Sequence, residues 1–334
     1  MGLSFLAPVR AILENRREGL YCIPGDFYVD PVRRVPRAII THGHADHART
    51  GHETVLATPQ TIAIMQARSG RNCAGRFEPL DYGKPLCIND VTVTLRPAGH
   101  VLGSAQVVME YKGYRIVAPG DFKRSPDPTC APFEPVSCHC FITEATFGLP
   151  LFQLPPVEDE LAKLMQSLRL FPQCTHVLLA YSLGKAQQLI ALLRRQGLVD
   201  PILVHPSVWD VCQVYEAFGV AMGVLEKLPQ NPSREKNMRG IAVMPPGRGS
   251  TGLVELFGNH RTVGASGWLH TSKGRKQRTC DLPLVISDHA DWLELLRTIE
   301  ETHAETVLVT HGPDAALKRA LHGGPVNCAG LTEL

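Results

Sequence analysis

The sequence lacks any apolar run close to the ~20 residues that a membrane-spanning helix requires. Its start, residues 1–25, also lacks the basic segment followed by a long apolar core that marks a secretory signal. None of its ten cysteines forms a Cys-x-x-Cys pair, so no dense disulfide framework is indicated. Cys138 and Cys140 lie in an apolar run, where buried thiols are expected. We therefore predict a cytoplasmic protein in a reducing compartment, with no membrane partner.

A strong charge of one sign is also absent, because 34 Lys and Arg residues against 32 Asp and Glu residues leave a formal net charge of +2. The distribution is less even than the total. Between Asn231 and Cys280, nine cationic residues stand against two acidic ones, a local excess of +7. Such an excess suits a polyanion-binding face, and a solvated basic surface without a ligand is the alternative.

What the sequence does contain is a dense group of metal-binding side chains at residues 42–47. His42, His44, Asp46 and His47 follow directly after the apolar run 37–40, which predicts a short buried strand. Imidazoles and a carboxylate are ligands that zinc and similar divalent ions accept. A polar loop with chance histidines is the alternative, but this spacing favours a metal site.

Predicted strands end five times on a histidine or a carboxylate. These positions are Asp30, the cluster that begins at His42, His100, Asp121 and His311. Such a pattern gathers ligands that are distant in sequence at one edge of a sheet, where rigid strands hold them in place. A single polar residue after a strand is usually a capped or exposed residue. The group at 42–47, however, needs ligands from elsewhere to complete two metal centres, so we expect the five positions to share one site.

From about Leu149 onward the sequence alternates strand-like and helix-like segments, which is the pattern of parallel-sheet units. Helices are predicted at 157–170, 185–196, 207–218 and 290–302, and strands at 176–180, 202–204, 241–244, 284–286 and 306–310. The strand at 284–286 leads directly into Ser287, Asp288 and His289.

The motifs resemble, in order and spacing, those of the metallo-β-lactamase-fold hydrolases: His42-x-His44-x-Asp46-His47, Gly99-His100, Gly120-Asp121 and Thr310-His311-Gly312. The tract from Thr143-Glu144 and the later Ser287-Asp288-His289 resemble the β-CASP nucleases, a branch that processes nucleic acids. The resemblance implies an α/β fold, an αββα metallo-β-lactamase sandwich formed by residues 1–148 and 266–334. It also implies an α/β β-CASP domain inserted at 149–265.

Within this branch, the segments 24–31 and 120–123 look most like those of bacterial ligase-associated DNA exonucleases. That resemblance implies DNA repair as the context, with an ATP-dependent DNA ligase and a helicase as partners. The crosslink-repair relatives generally lack a histidine at the position of His311. Because this chain has it, RNA is also a candidate substrate.

For this fold we expect two divalent metal ions, with zinc favoured and manganese as the alternative. The hypothesis is that His42, His44 and His100 hold one ion. A second ion would lie between Asp46, His47 and His311, with Asp121 bridging both. Two such cations would activate a water as hydroxide to attack phosphorus and would neutralise the phosphate oxygens.

Catalytic roles are predicted for Asp46, Asp30, Glu144 and His289. Asp30 would orient a ligand histidine. His289 would protonate the leaving oxygen or bind a phosphate oxygen, and Glu144 would hydrogen-bond to it and keep it cationic. An ordinary buried polar pair is the alternative for Glu144 and His289. Substrate-binding roles are predicted for Ser182, Lys185, Ser266, Lys273 and Arg275.

These features predict a metal-dependent DNA exonuclease that processes ends during repair. The first alternative is the same chemistry on RNA, and DNA is favoured over RNA as the nucleic-acid partner. A catalytically silent nucleic-acid-binding relative would lack ligands, whereas the expected ligands are present here. A small thioester or lactam hydrolase would not explain the large insertion, Glu144 or His289.

Overall fold

A computed structural model describes residues 4–228, 240–247, 253–254, 257–277 and 280–334. The chain divides into two compact units, with Met1–Gln153 and His289–Leu334 as unit 1 and Leu154–Asp288 as unit 2. The sequence placed these divisions after residues 148 and 265. Unit 2 extends to Asp288 because the strand Leu282–Leu284, beyond residue 265, pairs with the sheet of that unit, and the predicted domain identities stay predictions.

The regular elements are numbered in chain order over the described residues. The strands are β1 Leu13–Arg16, β2 Gly19–Cys22, β3 Phe27–Val29, β4 Arg37–Ile39, β5 Thr54–Ala57, β6 Arg76–Pro79, β7 Pro85–Ile88, β8 Val91–Pro97, β9 Ala105–Tyr111, β10 Tyr114–Ala118, β11 Cys140–Glu144, β12 Thr175–Leu179, β13 Ile202–Val204, β14 Leu225–Lys227, β15 Gly240–Met244, β16 His260–Ala265, β17 Leu282–Leu284, β18 Thr306–Thr310 and β19 Asn327–Gly330. The α-helices are α1 Ala7–Arg10, α2 Pro59–Ser69, α3 Val157–Leu170, α4 Lys185–Arg195, α5 Pro206–Ala217, α6 Ser272–Gln277, α7 Trp292–Glu301 and α8 Ala315–Leu321.

Unit 1 contains two sheets. The first has the strand order β1-β2-β3-β4-β5-β6, and the second has the order β19-β18-β11-β10-β9-β8-β7. In the second sheet, β9 and β10 form an antiparallel hairpin around Lys112 and Gly113. Strands β10, β11, β18 and β19 run parallel to one another, so their carboxyl ends reach the same edge.

Alternating side chains explain how these sheets pack. In β11, Ile142 joins a core cluster that also contains Ile39 and Leu56 of the first sheet, whereas the neighbouring Phe141 joins a cluster with Leu295 of α7. Successive strand residues point to opposite faces, so each sheet buries one face against the other sheet and one against helices. Helix α2 covers the outer face of the first sheet through Met65. These layers are compatible with the predicted αββα sandwich.

Unit 2 contains a sheet in the order β14-β13-β15-β12-β16-β17, and every neighbouring pair is parallel. The predicted parallel-sheet alternation is therefore confirmed, and α3 begins and ends at the predicted residues. Assignment of this unit as a β-CASP domain stays a prediction.

The strand predicted at 284–286 lies instead at Leu282–Leu284, on the sheet edge, where Pro283 is tolerated because an edge strand need not donate every N–H. The chain leaves the sheet at Val285, whose N–H donates to the buried Glu160 carboxylate at 2.9 Å.

The ten cysteines are free thiols, and Cys138 and Cys140 are buried as predicted. Within the described part of the chain, none of the helices combines the length and the apolar character needed to cross a bilayer.

The packing of α7 gives a stability prediction. Leu295 is fully buried in the core, whereas Leu293 on the same helix is 53% exposed. Leu295→Ala should lower the free energy of unfolding by about 2–5 kcal/mol, because it removes transfer energy and leaves a cavity. Leu293→Ala is the matched control and should change it by less than about 0.5 kcal/mol, as surface substitutions usually do. Denaturant titration measures both, and equal losses would contradict the packing described for α7.

Candidate metal centre

The side chains predicted as ligands converge at one rim of unit 1. Each lies at or just beyond the end of a strand: Asp30 after β3, residues 42–47 after β4, His100 after β8, Asp121 after β10, Glu144 at the end of β11 and His311 after β18. The parallel strands β10, β11 and β18 bring Asp121, Glu144 and His311 to the same edge because of their register. The rim therefore collects residues that are far apart in sequence.

A first ligand cluster consists of His42, His44, His100 and Asp121, whose candidate ligand atoms all lie within 4.8 Å of one another. His100 Nε2 lies 3.0 Å from His44 Nδ1, and His42 Nε2 lies 3.6 Å from Asp121 Oδ2. His42, His100 and Asp121 are buried. Three imidazoles and one carboxylate form a donor set suited to zinc.

The protonation of His42 suits a metal ligand. The Thr41 hydroxyl donates to Asp30 Oδ2 at 2.5 Å, so it accepts from His42 Nδ1 at 3.0 Å. Nε2 of His42 therefore carries no proton and keeps its lone pair. This atom is buried, and among the described residues it has no hydrogen-bond partner. Burial and the neighbouring histidines lower the pKa of His42 well below its usual value, which keeps the ring neutral. A buried acceptor without a donor fits a bound cation.

A second ligand cluster consists of His47, Asp121 and His311. His47 Nε2 lies 3.4 Å from Asp121 Oδ2, and its Nδ1 lies 2.8 Å from Asp30 Oδ2. Burial opposes a charge on His47, but the Asp30 and Asp121 carboxylates raise its pKa well above the usual value. The two carboxylates therefore create a negative potential at this point that favours a positive charge.

Asp121 belongs to both clusters, as the bridging hypothesis requires. Burial alone would raise the pKa of its carboxyl, but His289 and His47 hold that pKa well below its usual range. Its carboxylate is therefore ionised and available to both clusters.

Asp46 is not brought into either cluster. Its side chain is 73% exposed, and its Oδ2 lies 3.9 Å from His47 Nε2. The ligand and catalytic roles of Asp46 stay predictions.

Glu144 and His289 lie against each other at the same rim. His289 Nδ1 is 2.9 Å from Oε2 and 3.1 Å from Oε1 of the fully buried Glu144. The Phe122 backbone N–H also donates to Glu144 Oε1 at 2.8 Å. Since a carboxylate only accepts, Nδ1 of His289 carries a proton, and Glu144 fixes the orientation of the ring.

Sequence reasoning missed two residues that support the loop at 42–47. Thr41 links Asp30 to His42, and its position directly before the first histidine was the available signal. Arg68, at the last turn of α2, donates to the Gly43 carbonyl at 2.5 Å. No short-range sequence pattern connects Arg68 with a loop 25 positions earlier.

The predicted substrate-binding residues all lie in unit 2. Lys185 is buried, and its Nζ lies 3.2 Å from Asp288 Oδ1, so it is an internal ion-pair partner and not part of a basic surface. Ser182 contacts Ser207, with 2.8 Å between the hydroxyl oxygens, and Ser266 caps a 3₁₀ turn at Gly267–His270. The N-cap of α4 is Gly184.

Lys273 and Arg275 are exposed on α6. Of the nine cationic residues behind the local excess of +7, five lie outside the described residues: Arg234, Lys236, Arg239, Arg248 and Arg278. The two acidic residues, Glu235 and Glu255, do so as well.

The sequence is similar to those of two known proteins. The chain is 32% identical over 309 residues to a probable DNA ligase of Opitutus terrae, an alignment that covers 88% of this chain and 28% of the ligase. It is 28% identical over 171 residues to an endoribonuclease YSH1 of Gibberella zeae, covering 50% of this chain and 20% of that protein. The chain is similar to nucleic-acid-processing proteins. It spans less than a third of the length of either relative.

These relatives support the metallo-β-lactamase superfamily and its β-CASP branch, whereas the subtype remains a proposal. No family model matches the chain. A crystal structure of a protein of unknown function from Enterococcus faecalis V583 has a TM-score of 0.58 and 12% identity, over 87% of this chain and 78% of that one. At this identity the likeness concerns the fold alone.

The contact between Asp30 and His47 gives a prediction about metal affinity. Asp30→Ala should weaken zinc binding by about 10–100-fold, because partners that orient metal ligands typically contribute that much. Asp26, directly before β3, is the matched control because its carboxylate accepts from the Tyr21 hydroxyl and, among the described residues, pairs with no predicted ligand. Competition with a chromophoric zinc chelator measures both affinities. Equal affinities for Asp30→Ala and Asp26→Ala would remove the supporting role of Asp30.

Proposed function

We propose that the chain is a metal-dependent phosphodiesterase that acts as a DNA exonuclease in the processing of DNA ends during repair. The observation that carries this proposal is the pair of ligand clusters that share the Asp121 carboxylate. Hydrolysis of nucleic acid as the reaction class is supported by the similarity to an endoribonuclease. The exonuclease activity and the DNA substrate are the finer parts of the proposal.

Two divalent ions, zinc or manganese, would be held by His42, His44, His100 and Asp121 and by His47, Asp121 and His311. When bound, such ions supply positive charge to phosphate oxygens and lower the pKa of a water nucleophile. The donor chemistry fits such ions, because both clusters combine imidazole nitrogen with carboxylate oxygen. The first cluster also contains His42 Nε2, a buried atom with no hydrogen-bond partner among the described residues.

The protein's own residues position the reacting groups. Asp30 accepts from the Thr41 backbone N–H at 2.8 Å and lies against His47, so one carboxylate orients residues at both ends of the ligand loop. His289 is held by Glu144 with its side chain 21% exposed, which leaves its Nε2 side as the candidate to meet a phosphate oxygen or the leaving oxygen. A proton given to the leaving oxygen from that atom would complete strand cleavage.

DNA is preferred over RNA because the alignment with the ligase covers more of this chain than the alignment with the endoribonuclease. Most of that ligase lies outside the alignment. This is consistent with a nuclease unit that acts beside an ATP-dependent DNA ligase and a helicase. RNA processing is the second candidate, favoured by the endoribonuclease similarity. A silent nucleic-acid-binding role is disfavoured by the two donor clusters that share Asp121.

Turnover of labelled substrates tests this function. Asp121→Asn and His289→Ala should each reduce phosphodiester hydrolysis by on the order of 10²–10⁴-fold, because each removes a group to which the proposal assigns a role at the reacting phosphate. His322, exposed elsewhere on unit 1, is the control, and His322→Ala should retain full turnover.

The substrates are end-labelled single-stranded DNA, duplex DNA and RNA, each with zinc and with manganese. Progressive shortening of DNA from an end is the expected product pattern. Cleavage of RNA alone would reject the DNA proposal, and wild-type turnover by His289→Ala would reject its catalytic assignment.

A further inference from the structure

Unit 2 carries a cavity of about 550 Å³ that plays no part in the ligand clusters. It lies at the carboxyl ends of β12 and β16 and beyond the end of β15, where its lining includes Leu179, Ala265 and Pro246. Open parallel sheets bind ligands in the crevice outside the carboxyl ends of their strands. The volume falls in the range of about 300–1,000 Å³ that is usual for small-ligand pockets.

Two aromatic side chains stand exposed at this edge. Tyr181 lines the cavity and is 50% exposed. Trp268 is not itself a lining residue, but it is 41% exposed on the 3₁₀ turn Gly267–His270, directly before the lining residue Leu269. Strand register brings these segments together, because Leu179 of β12 pairs with Gly264 of β16. Large exposed aromatic faces next to a cavity suit stacking on a flat ligand.

The charge around the cavity favours an anion. Helix α6 has no acidic residue and exposes Lys273, Arg275 and Lys276. Gln277, the last residue of this helix, lines the cavity. Among the described lining residues none carries a carboxylate, and the polar groups are the Tyr181 and Ser266 hydroxyls, the Gln277 amide and the Cys280 thiol.

We propose that this cavity binds a nucleobase of a single-stranded nucleic acid, with Tyr181 and Trp268 as stacking faces and the α6 cations on the adjoining phosphates. The inference rests on the proposed function for its ligand class and deepens it by naming an unpaired strand as substrate. Base-to-aromatic stacking beside a cationic track is how proteins hold single strands without reading a particular sequence. Binding by charge alone would not explain the two exposed aromatic rings.

Equilibrium binding in the presence of EDTA tests the cavity without turnover. The probes are fluorescein-labelled oligo(dT), oligo(rU) and an abasic oligodeoxynucleotide of equal length, followed by anisotropy. Tyr181→Ala and Trp268→Ala should each weaken oligo(dT) binding by about 5- to 100-fold, the range that loss of one stacked base produces. Tyr181→Phe keeps a stacking ring and should bind like the wild type.

Phe218 provides the matched control, because it is 39% exposed in the same unit and follows α5, away from the lining residues. Phe218→Ala should leave binding unchanged. The abasic probe should bind the wild type more weakly and should not respond to either alanine variant. A second readout is quenching of tryptophan fluorescence by dTMP, which should disappear in Trp268→Phe while the thermal melting curve stays unchanged.

The pocket is rejected if oligo(dT) binds both alanine variants as tightly as the wild type, or if the abasic probe binds as tightly as oligo(dT). Binding that depends on the base, without cleavage of any substrate, would reject the proposed function but support the nucleobase pocket. Cleavage together with binding that does not depend on the base would support the proposed function but reject the pocket. Binding of oligo(rU) but not oligo(dT) would support the nucleobase pocket and would identify RNA, not DNA, as its ligand.

Discussion

The Asp121 carboxylate is the group on which the architecture of the rim depends. Its Oδ2 lies 3.4–3.9 Å from a ring nitrogen of each of four histidines: His47, His42, His100 and His289. A buried carboxylate is costly unless charge or hydrogen bonds compensate it. Here the imidazoles surround it from four directions, while burial keeps His42 neutral. The result is an ionised carboxylate beside a neutral His42 and a His47 whose pKa is raised, so the negative potential at this point favours a positive charge.

This arrangement is maintained by tight backbone packing beneath it. Asp30 adopts a left-handed φ of 44° and His311 one of 47°, conformations that ordinary residues visit rarely and that cluster at functional sites. Gly120, directly before Asp121, has a φ of 63°, and a Cβ there would collide with the side chain of Thr41. The strand ends thus approach one another so closely that a side chain at this glycine would separate the ligand loop from Asp121.

Sequence reasoning is most informative where the chemistry is local. Three histidines within six positions, and strand ends marked by a ligand, are visible in the chain without knowledge of its fold. It is less informative where the outcome depends on burial, and the predicted roles of Lys185 and Asp46 stay predictions. Lys185 follows a strand as a phosphate-binding lysine would, yet it is buried against Asp288, a residue 103 positions later. Asp46 is exposed although both neighbours in its motif face the clusters, and no periodicity in a seven-residue loop could have shown this.

Asp288 and His289 illustrate how adjacent residues acquire separate anchors. Their Cα atoms are about 3.8 Å apart across one peptide bond. Asp288 is the counter-ion of a buried lysine, and such a lysine cannot lose its partner without a large desolvation cost. His289 is held by Glu144 on the other side of that bond. The two anchors therefore belong to different units: Lys185 pairs with Asp288 in unit 2, and Glu144 orients the imidazole of His289 in unit 1.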